Sequence, residues 1–402
     1  MINHKTVADI AFAIGSLSAC GCVAAGGYLL TFAQMGRASR PSDNAATARE
    51  QCSMRFLLLI PAHNEEQGIT STLASVAALD YPQELLEIVV IADNCTDETE
   101  AAVHRCGVTC WRRTDELNRG KGQAIEWALD RAATKDWNAV VIVDADTYVD
   151  PLLLRAFDSA LKGRLAVTQA TYELRAQGET FARATSVGKF SENWLFARPR
   201  SWHELFVPIH GNGFCIPRDV LRSVPWKAKS VAEDLQFAIE LLRRGMFVAY
   251  APAGKVTSSC APNLQAAGKQ RIRWASGTFG LFRALPELFI DAVRMRDWRI
   301  AEGAVALLLS SRMFIVYWFV LALLCCGLLL KSVLGAVVGL LLIFSLLINA
   351  VYLAVVLKAA KRQRGASGRE LALYALWLAG TQAKAILHIR KREWVRTPRD
   401  TR

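Results

Sequence analysis

Three long apolar stretches constrain this chain more than any other feature: residues 8–34, 303–330 and 333–357. Each exceeds the roughly 20 residues needed to span a bilayer core. Residues 8–34 carry one charge, Asp9, near their start. The second and third runs are separated only by Lys331 and Ser332, so they read as a hairpin of two spanning helices. Arg312, the one charge inside that pair, lies at an interface or faces a polar passage. A more polar middle region lies between the first run and the pair, as in a water-soluble unit tied to a membrane.

Basic flanks give the orientation. Arg37, Arg40 and Arg49 follow the first run, and Lys358, Lys361, Arg362 and Arg364 follow the third. Positive residues stay on the cytoplasmic side. The expected protein therefore crosses the inner or plasma membrane several times and keeps a domain at residues 50–280 in the cytoplasm. Residues 281–299 mix apolar clusters with Arg283, Arg294 and Arg296, which suits an amphipathic helix lying on the membrane surface. Residues 371–402 begin apolar, are interrupted by Lys384 and His388, and end in a basic tail. Spanning would export that tail, so an interfacial or re-entrant helix is expected. Leu17-Ser18-Ala19-Cys20 resembles a lipoprotein processing box, but the apolar run continues well past Cys20.

Composition excludes several classes. The 10 cysteines show no paired CxxC spacing and read as reduced, small apolar residues. The six histidines show no metal-site spacing. A net charge of +12 would suit nucleic acid, yet much of it flanks apolar runs, where basic residues meet anionic lipid. No nucleic-acid partner is needed.

Within the polar middle, strand and helix patterns alternate. Strands are expected at 55–60, 87–92, 108–112 and 139–143, with helices at 66–78, 97–106 and 121–134. This order predicts an α/β fold with a mostly parallel sheet. Ligands of such sheets sit at the carboxyl ends of the strands. His63, Asn64 and Glu65 follow the first strand, Asp93 closes the second, and Asp144 and Asp146 follow the last. Two carboxylates at a strand end repel each other unless a cation sits beside them. Oxygen ligands suit Mg²⁺ or Mn²⁺ rather than zinc. The competing reading is a solvated acidic loop.

Six motifs occur in order: PAHNEE (61–66), IADNCTDET (91–99), RGKG (119–122), VDAD (143–146), VAED (231–234) and QRIRW (270–274). Together they resemble the family 2 inverting glycosyltransferases of GT-A fold, in the membrane-integrated branch with the cellulose, hyaluronan, chitin-oligosaccharide and poly-N-acetylglucosamine synthases. The resemblance implies a Rossmann-like cytosolic domain with flanking transmembrane helices. It implies that Ala62, Glu65 and Asp93 hold the nucleotide of a UDP-sugar, with Lys121 near its diphosphate. It makes Asp144 and Asp146 the metal and donor-phosphate ligands, Asp146 the more direct. Asp234, with Glu233 before it, matches the catalytic base, although an ordinary helix cap is the commoner use of such an aspartate. Arg273 would meet the pyrophosphate. Gln270, Trp274 and the loop Gly211-Asn212-Gly213 would line the acceptor site, and Gln169 would approach the donor sugar. Ala92 stands where the family has a second acidic residue. His63 stands where an aromatic is common, and no role follows for it. Trp394, Thr397 and Arg399 match a gating motif of some synthases.

The implied reaction moves glucose or N-acetylglucosamine to a growing β-linked glycan, with single addition to a lipid-linked acceptor as the alternative. Three crossings are few for a channel, so a second copy or an export partner would complete one. A transporter or receptor with a nucleotide-sensing domain is the rival from another class. The nearly charge-free apolar runs speak against it.

Overall fold

Buried hydrophobic runs become strands, as their composition predicts. A computed structural model of the protein describes residues 4–37, 51–175, 180–228, 230, 232–261, 263–311, 313–330, 332–363 and 367–387. Arg40, Arg49, Arg312, Lys331, Arg364, His388, Trp394, Thr397 and Arg399 lie outside the described residues. The strands are β1 (Phe56–Ala62), β2 (Leu86–Asp93), β3 (Thr109–Arg113), β4 (Ala139–Ile142), β5 (Thr147–Val149), β6 (Thr168–Arg175), β7 (Phe214–Pro217) and β8 (Ala249–Ser259). They form one sheet in the order β3-β2-β1-β4-β7-β6-β8-β5.

The first four strands are parallel. Beyond β4 the sheet is mixed: β7 runs antiparallel to β4 and β6, β8 parallel to β6, and β5 antiparallel to β8. β1–β4 form a continuous parallel half, and outside it only the β6–β8 pair is parallel. A helical excursion between β6 and β7 returns the chain against its neighbours.

Alternation divides the core. Leu57, Leu59, Val89, Ile91, Val140 and Ile142 face one side of the sheet, and Phe56, Leu58, Ile60, Val90, Val141 and Val143 face the other. Both sides are covered, which explains why these strands carry no polar face. The helices Ile69–Ala77 and Leu153–Gly163 cover the second side, and Lys121–Arg131 and Glu233–Leu242 the first.

The apolar runs divide differently from the expectation. Residues 303–330 are not one helix. Trp298–Leu308 ends near Leu309, and Met313–Leu328 is separate. In Trp298–Leu308, Ile300, Ala304 and Leu307 are fully buried in the core of the sheet domain. At Gly303 an added Cβ would stand 2.6 Å from Leu242. Hydropathy alone does not separate a core helix from a lipid-facing one. The stretch 281–299 is likewise broken: Leu285–Met295 ends at Arg296 (φ 53), and Asp297 accepts a hydrogen bond from the Arg299 amide to start the next helix.

By length and composition, Lys5–Gly36 and Val333–Ala359 could each cross a membrane, and Phe314–Leu328 is a shorter apolar helix. His4–Gly36 packs along both partners. Small residues allow close approach: Cβ atoms at Gly15 and Gly26 would stand 2.8 Å from Cys325 and 2.7 Å from Asn349. The helix Gly368–Leu387 packs on Leu264–Leu281. A buried ion pair ties the first helix to the domain. Arg200 is fully buried and donates to both oxygens of Glu302 at 2.6 and 2.7 Å, to the Tyr28 hydroxyl, and to the Phe206 carbonyl at 2.6 Å.

Candidate active site

The carboxyl ends of β1, β2 and β4 open into a cavity of about 2430 Å³. Its wall is completed by the starts of the helices Lys121–Arg131 and Glu233–Leu242, by the helix Leu264–Leu281, and by part of Gly368–Leu387.

At one end, the loops after β1 and β2 are laced together. The Glu65 amide donates to Thr99 Oγ1 at 2.7 Å, and the Glu98 amide to Glu66 at 2.9 Å. His63 Nδ1 lies 2.7 Å from the Asp93 carbonyl. Its role is thus to hold the loops. Asn64 sits in the left-handed region (φ 56), which asparagine tolerates, and pairs with Thr96. Arg113 donates to Asp93 at 2.5 Å, with both side chains buried. Burial raises the Asp93 carboxyl above the ordinary aspartate range, and Arg113 opposes that. Ala62, Glu65 and Asp93 all line the cavity.

In the middle, Lys121 begins its helix, and its ammonium donates to Asp144 and to the Gly211 carbonyl. Burial works against that charge, but Asp144, Glu233 and Asp234 more than offset it and raise Lys121 above the ordinary lysine value. Asp144 and Asp146 are half-buried on the short connection from β4 to β5. Glu233 and Asp234 are the first two residues of Glu233–Leu242. The cap is Ala232, without a side-chain hydrogen bond, so Asp234 is not the N-cap. Gly211 (φ 72) lies so near that a Cβ there would stand 2.9 Å from Asp234 Oδ2. Burial pushes Glu233 up to about 7, with Asp234 adding to the rise. Burial raises Asp234 as well, against the Leu235 amide and Lys121.

Gln270, Arg273 and Trp274 line the opposite wall from one helix, whose start is capped by Asn263. Trp274 is 37% exposed, with the Arg271 guanidinium 5.2 Å from its ring centre. Burial pulls Arg273 down, and Glu233 and Asp144 oppose it.

Three expected contacts lie behind the wall. Gln169 is fully buried and donates to the Asn212 and Gly213 carbonyls at 3.0 and 3.1 Å, while its oxygen accepts from the His210 amide at 2.9 Å. It shapes the loop from beneath rather than approaching a donor sugar. Asn212 is 1% exposed. It accepts from the Asp144 amide and donates to Thr147 Oγ1 and Ser258 Oγ. A Cβ at Gly213 would stand 2.4 Å from Val256. Of that loop, His210 and Gly211 reach the cavity. Buried amides turn inward here because the irregular loop has its own backbone groups to satisfy.

The chemistry of the donor set can be tested against a cation. Among the described residues no three His, Cys, Asp or Glu side chains converge on one point. Asp146 and Asp144 therefore offer two carboxylates and no third acidic or imidazole ligand among the described residues, which suits an ion that takes its remaining ligands from water and phosphate. The lining carries nine Asp and Glu side chains against six Lys and Arg, a formal excess of negative charge. A divalent cation would offset much of that excess.

The model of the family described as "Glycosyltransferase like family 2" matches residues 54–277. "Probable glycosyltransferase YdaM" of Bacillus subtilis is 28% identical over 232 residues, covering 55% of this chain and 54% of that protein. A poly-beta-1,6-N-acetyl-D-glucosamine synthase of Staphylococcus epidermidis is 24% identical over 225 residues, covering 54% and 53%. A beta-monoglucosyldiacylglycerol synthase of Nostoc is 27% identical over 243 residues, covering 57% and 50%. The matched part thus spans about half the length of these relatives. In overall structure, the chain is similar to the mannosyltransferase PcManGT from Pyrobaculum calidifontis, solved with GDP-Man and Mn²⁺. The TM-score is 0.61 at 17% identity, covering 94% of this chain and 98% of that one. The likeness shows a shared fold. With more than half its length matched by the family model, this chain belongs to glycosyltransferase family 2 and carries the GT-A fold.

Proposed function

We propose that the protein moves a sugar of glucose or N-acetylglucosamine type from a UDP-sugar to a glycan or lipid-linked acceptor, inverting the anomeric centre. One observation carries this: Asp234 and Asp144 flank the same Lys121–Gly211 contact in one cavity. A base and a diphosphate site are thereby neighbours. Ala62, Glu65 and Asp93 hold the nucleotide. Asp234, raised by burial, takes the proton from an acceptor hydroxyl. The freed oxygen forms a bond to the anomeric carbon as the bond to the UDP oxygen breaks on the opposite side. Arg273 and Lys121 stabilise the charge that collects on the departing diphosphate. Trp274 offers the C–H face of the acceptor sugar a flat apolar floor. Asp146 and Asp144 would hold Mg²⁺ or Mn²⁺, which supplies Lewis-acid charge to the donor phosphates.

Membrane placement belongs to the same proposal. The first, Met313–Leu328 and Val333–Gln363 helices cross the bilayer, with the sheet domain in the cytoplasm. Residues 298–308 stay with that domain. A second copy or an export partner completes any channel.

The test is UDP release by the purified chain in nanodiscs, with a panel of UDP-sugars, Mg²⁺ or Mn²⁺, and Asp234→Asn alongside. Metal-dependent turnover with one donor, lost in the variant, is the expected result. The absence of both turnover and metal-dependent UDP binding would overturn the donor-site assignment.

A further inference from the structure

Beyond the residues above, the cavity holds a second polar group that the donor chemistry leaves unused. Lys189 and Glu192 lie on the helix Thr180–Glu192, and His210 directly precedes Gly211. All three line the cavity. Lys189 donates to Glu192 at 2.9 Å, and its ammonium lies 4.8 Å from the Tyr172 ring centre. His210 Nδ1 stands 3.5 Å from the other Glu192 oxygen. The His210 side chain is only 8% exposed, and its Nε2 has no hydrogen-bond partner among the described residues. An orphaned buried ring nitrogen costs stability unless a ligand satisfies it.

Position and charge say what that ligand is. His210 is one residue from Gly211, where an added Cβ would stand 2.9 Å from Asp234 Oδ2 and 3.8 Å from Lys121 Nζ, the ammonium that donates to Asp144. Lys189 feels the charges of both Asp234 and Arg271, so the group belongs to the same site and borders the QRIRW helix. Burial drives the His210 imidazole down to about 4, which keeps it neutral. With Nδ1–H turned toward Glu192, Nε2 is left as an acceptor. Lysine and glutamate cancel, so the group offers donors and acceptors with no net charge. That suits a neutral hydroxyl-rich head and not a phosphate.

We propose that Lys189, Glu192 and His210 form the station that binds the hydroxyls of the acceptor and holds its reacting oxygen beside Asp234. The proposal rests on the transferase reading above. The hydroxyl-rich head comes either from a free glycan end or from a glycosyl- or glycerol-headed lipid. The same cavity is also lined by the apolar Phe279, Leu281 and Leu378, which suits a lipid-linked head as well as a free glycan.

The test uses the full chain in nanodiscs with saturating UDP-sugar and Mn²⁺. Two probes separate the sources: soluble chitotetraose, and diacylglycerol doped into the disc. Glu192→Gln and His210→Ala are compared with His210→Asn, which restores a hydrogen-bonding group, and with Lys189→Met. UDP affinity and thermal midpoint report folding and the donor site. The expected result is a rise of about tenfold in the apparent acceptor KM for His210→Ala and Glu192→Gln, the scale of one lost hydrogen bond. UDP affinity stays within about twofold, and His210→Asn recovers part of the loss. Three results overturn the station: an unchanged acceptor KM in every variant, a parallel fall of UDP affinity, or a wild type that binds UDP yet responds to neither probe. Failure of the wild type to bind UDP at all would instead strike the transferase reading.

Discussion

Two buried charged clusters in this protein have opposite designs. Around Arg200 the account closes: the guanidinium is fully buried, Glu302 is 12% exposed, and the arginine donates to both Glu302 oxygens and to the Phe206 carbonyl while lying over the Tyr28, Phe32 and Phe196 rings. Around Lys121 it does not close. Lys121 and Asp144 are 24% and 32% exposed, and Glu233, Asp234 and Asp146 stand nearby with Arg273. A closed, balanced pair locks helices together. An open cluster with surplus negative charge is poised for a cation and a proton transfer. The difference separates scaffold from site using charge count and exposure alone.

Breaking the open cluster should have the largest effect. Asp234→Asn should lower turnover by about 10²–10⁴-fold, measured as UDP release, while the thermal midpoint holds or rises because one like charge is gone. Breaking the closed cluster should act on stability instead. Glu302→Ala leaves Arg200 buried without its carboxylate, and should cost about 3–5 kcal/mol in a chemical unfolding titration. The double change Arg200→Met with Glu302→Leu should recover most of that loss.

Gly211→Ala sits between function and stability. It forces an L-residue to φ 72 and places a methyl 2.9 Å from Asp234 Oδ2. It should cost about 1 kcal/mol of stability and lower turnover more than it weakens UDP binding, as read by kinetics beside calorimetry.

The last effect is on pH dependence. Glu233 rises from an ordinary 4.5 to about 7 in the fold, so the native state holds its proton more tightly than the unfolded state. Its contribution is favourable below 4.5 and is lost as pH climbs through about 7. The metal-free protein should therefore lose stability across that window, and Glu233→Gln should flatten the slope. Adding Mn²⁺ with UDP should flatten it too, because the cation removes the repulsion.

Much of the donor half was legible from residue order. Continuous Val, Ile and Leu runs mark strands buried on both faces, and PAHNEE, Asp93 and VDAD fall at their carboxyl ends because a parallel sheet puts them there. The acceptor half was much less so. Gln169 was no clearer on the donor side, since the resemblance puts it near the donor sugar. Its inward turn depends on carbonyls 43 and 44 positions away. Arg200 and Glu302 are 102 residues apart and carry no local signature. A faint signal existed for His210, since a histidine beside a glycine that needs positive φ sits on a tight, often functional turn.

The sequence by itself determined the strands of the parallel half, the motif set and the family, because period, turn chemistry and strand-end position are local properties of the chain. Only the tertiary structure decided that residues 298–308 serve the core, that Asn212 and Gln169 support the loop from behind, and that His210 joins Lys189 and Glu192. Burial and charge balance arise from contacts between distant segments, and the same apolar or polar residue serves either side of a wall until the fold places it.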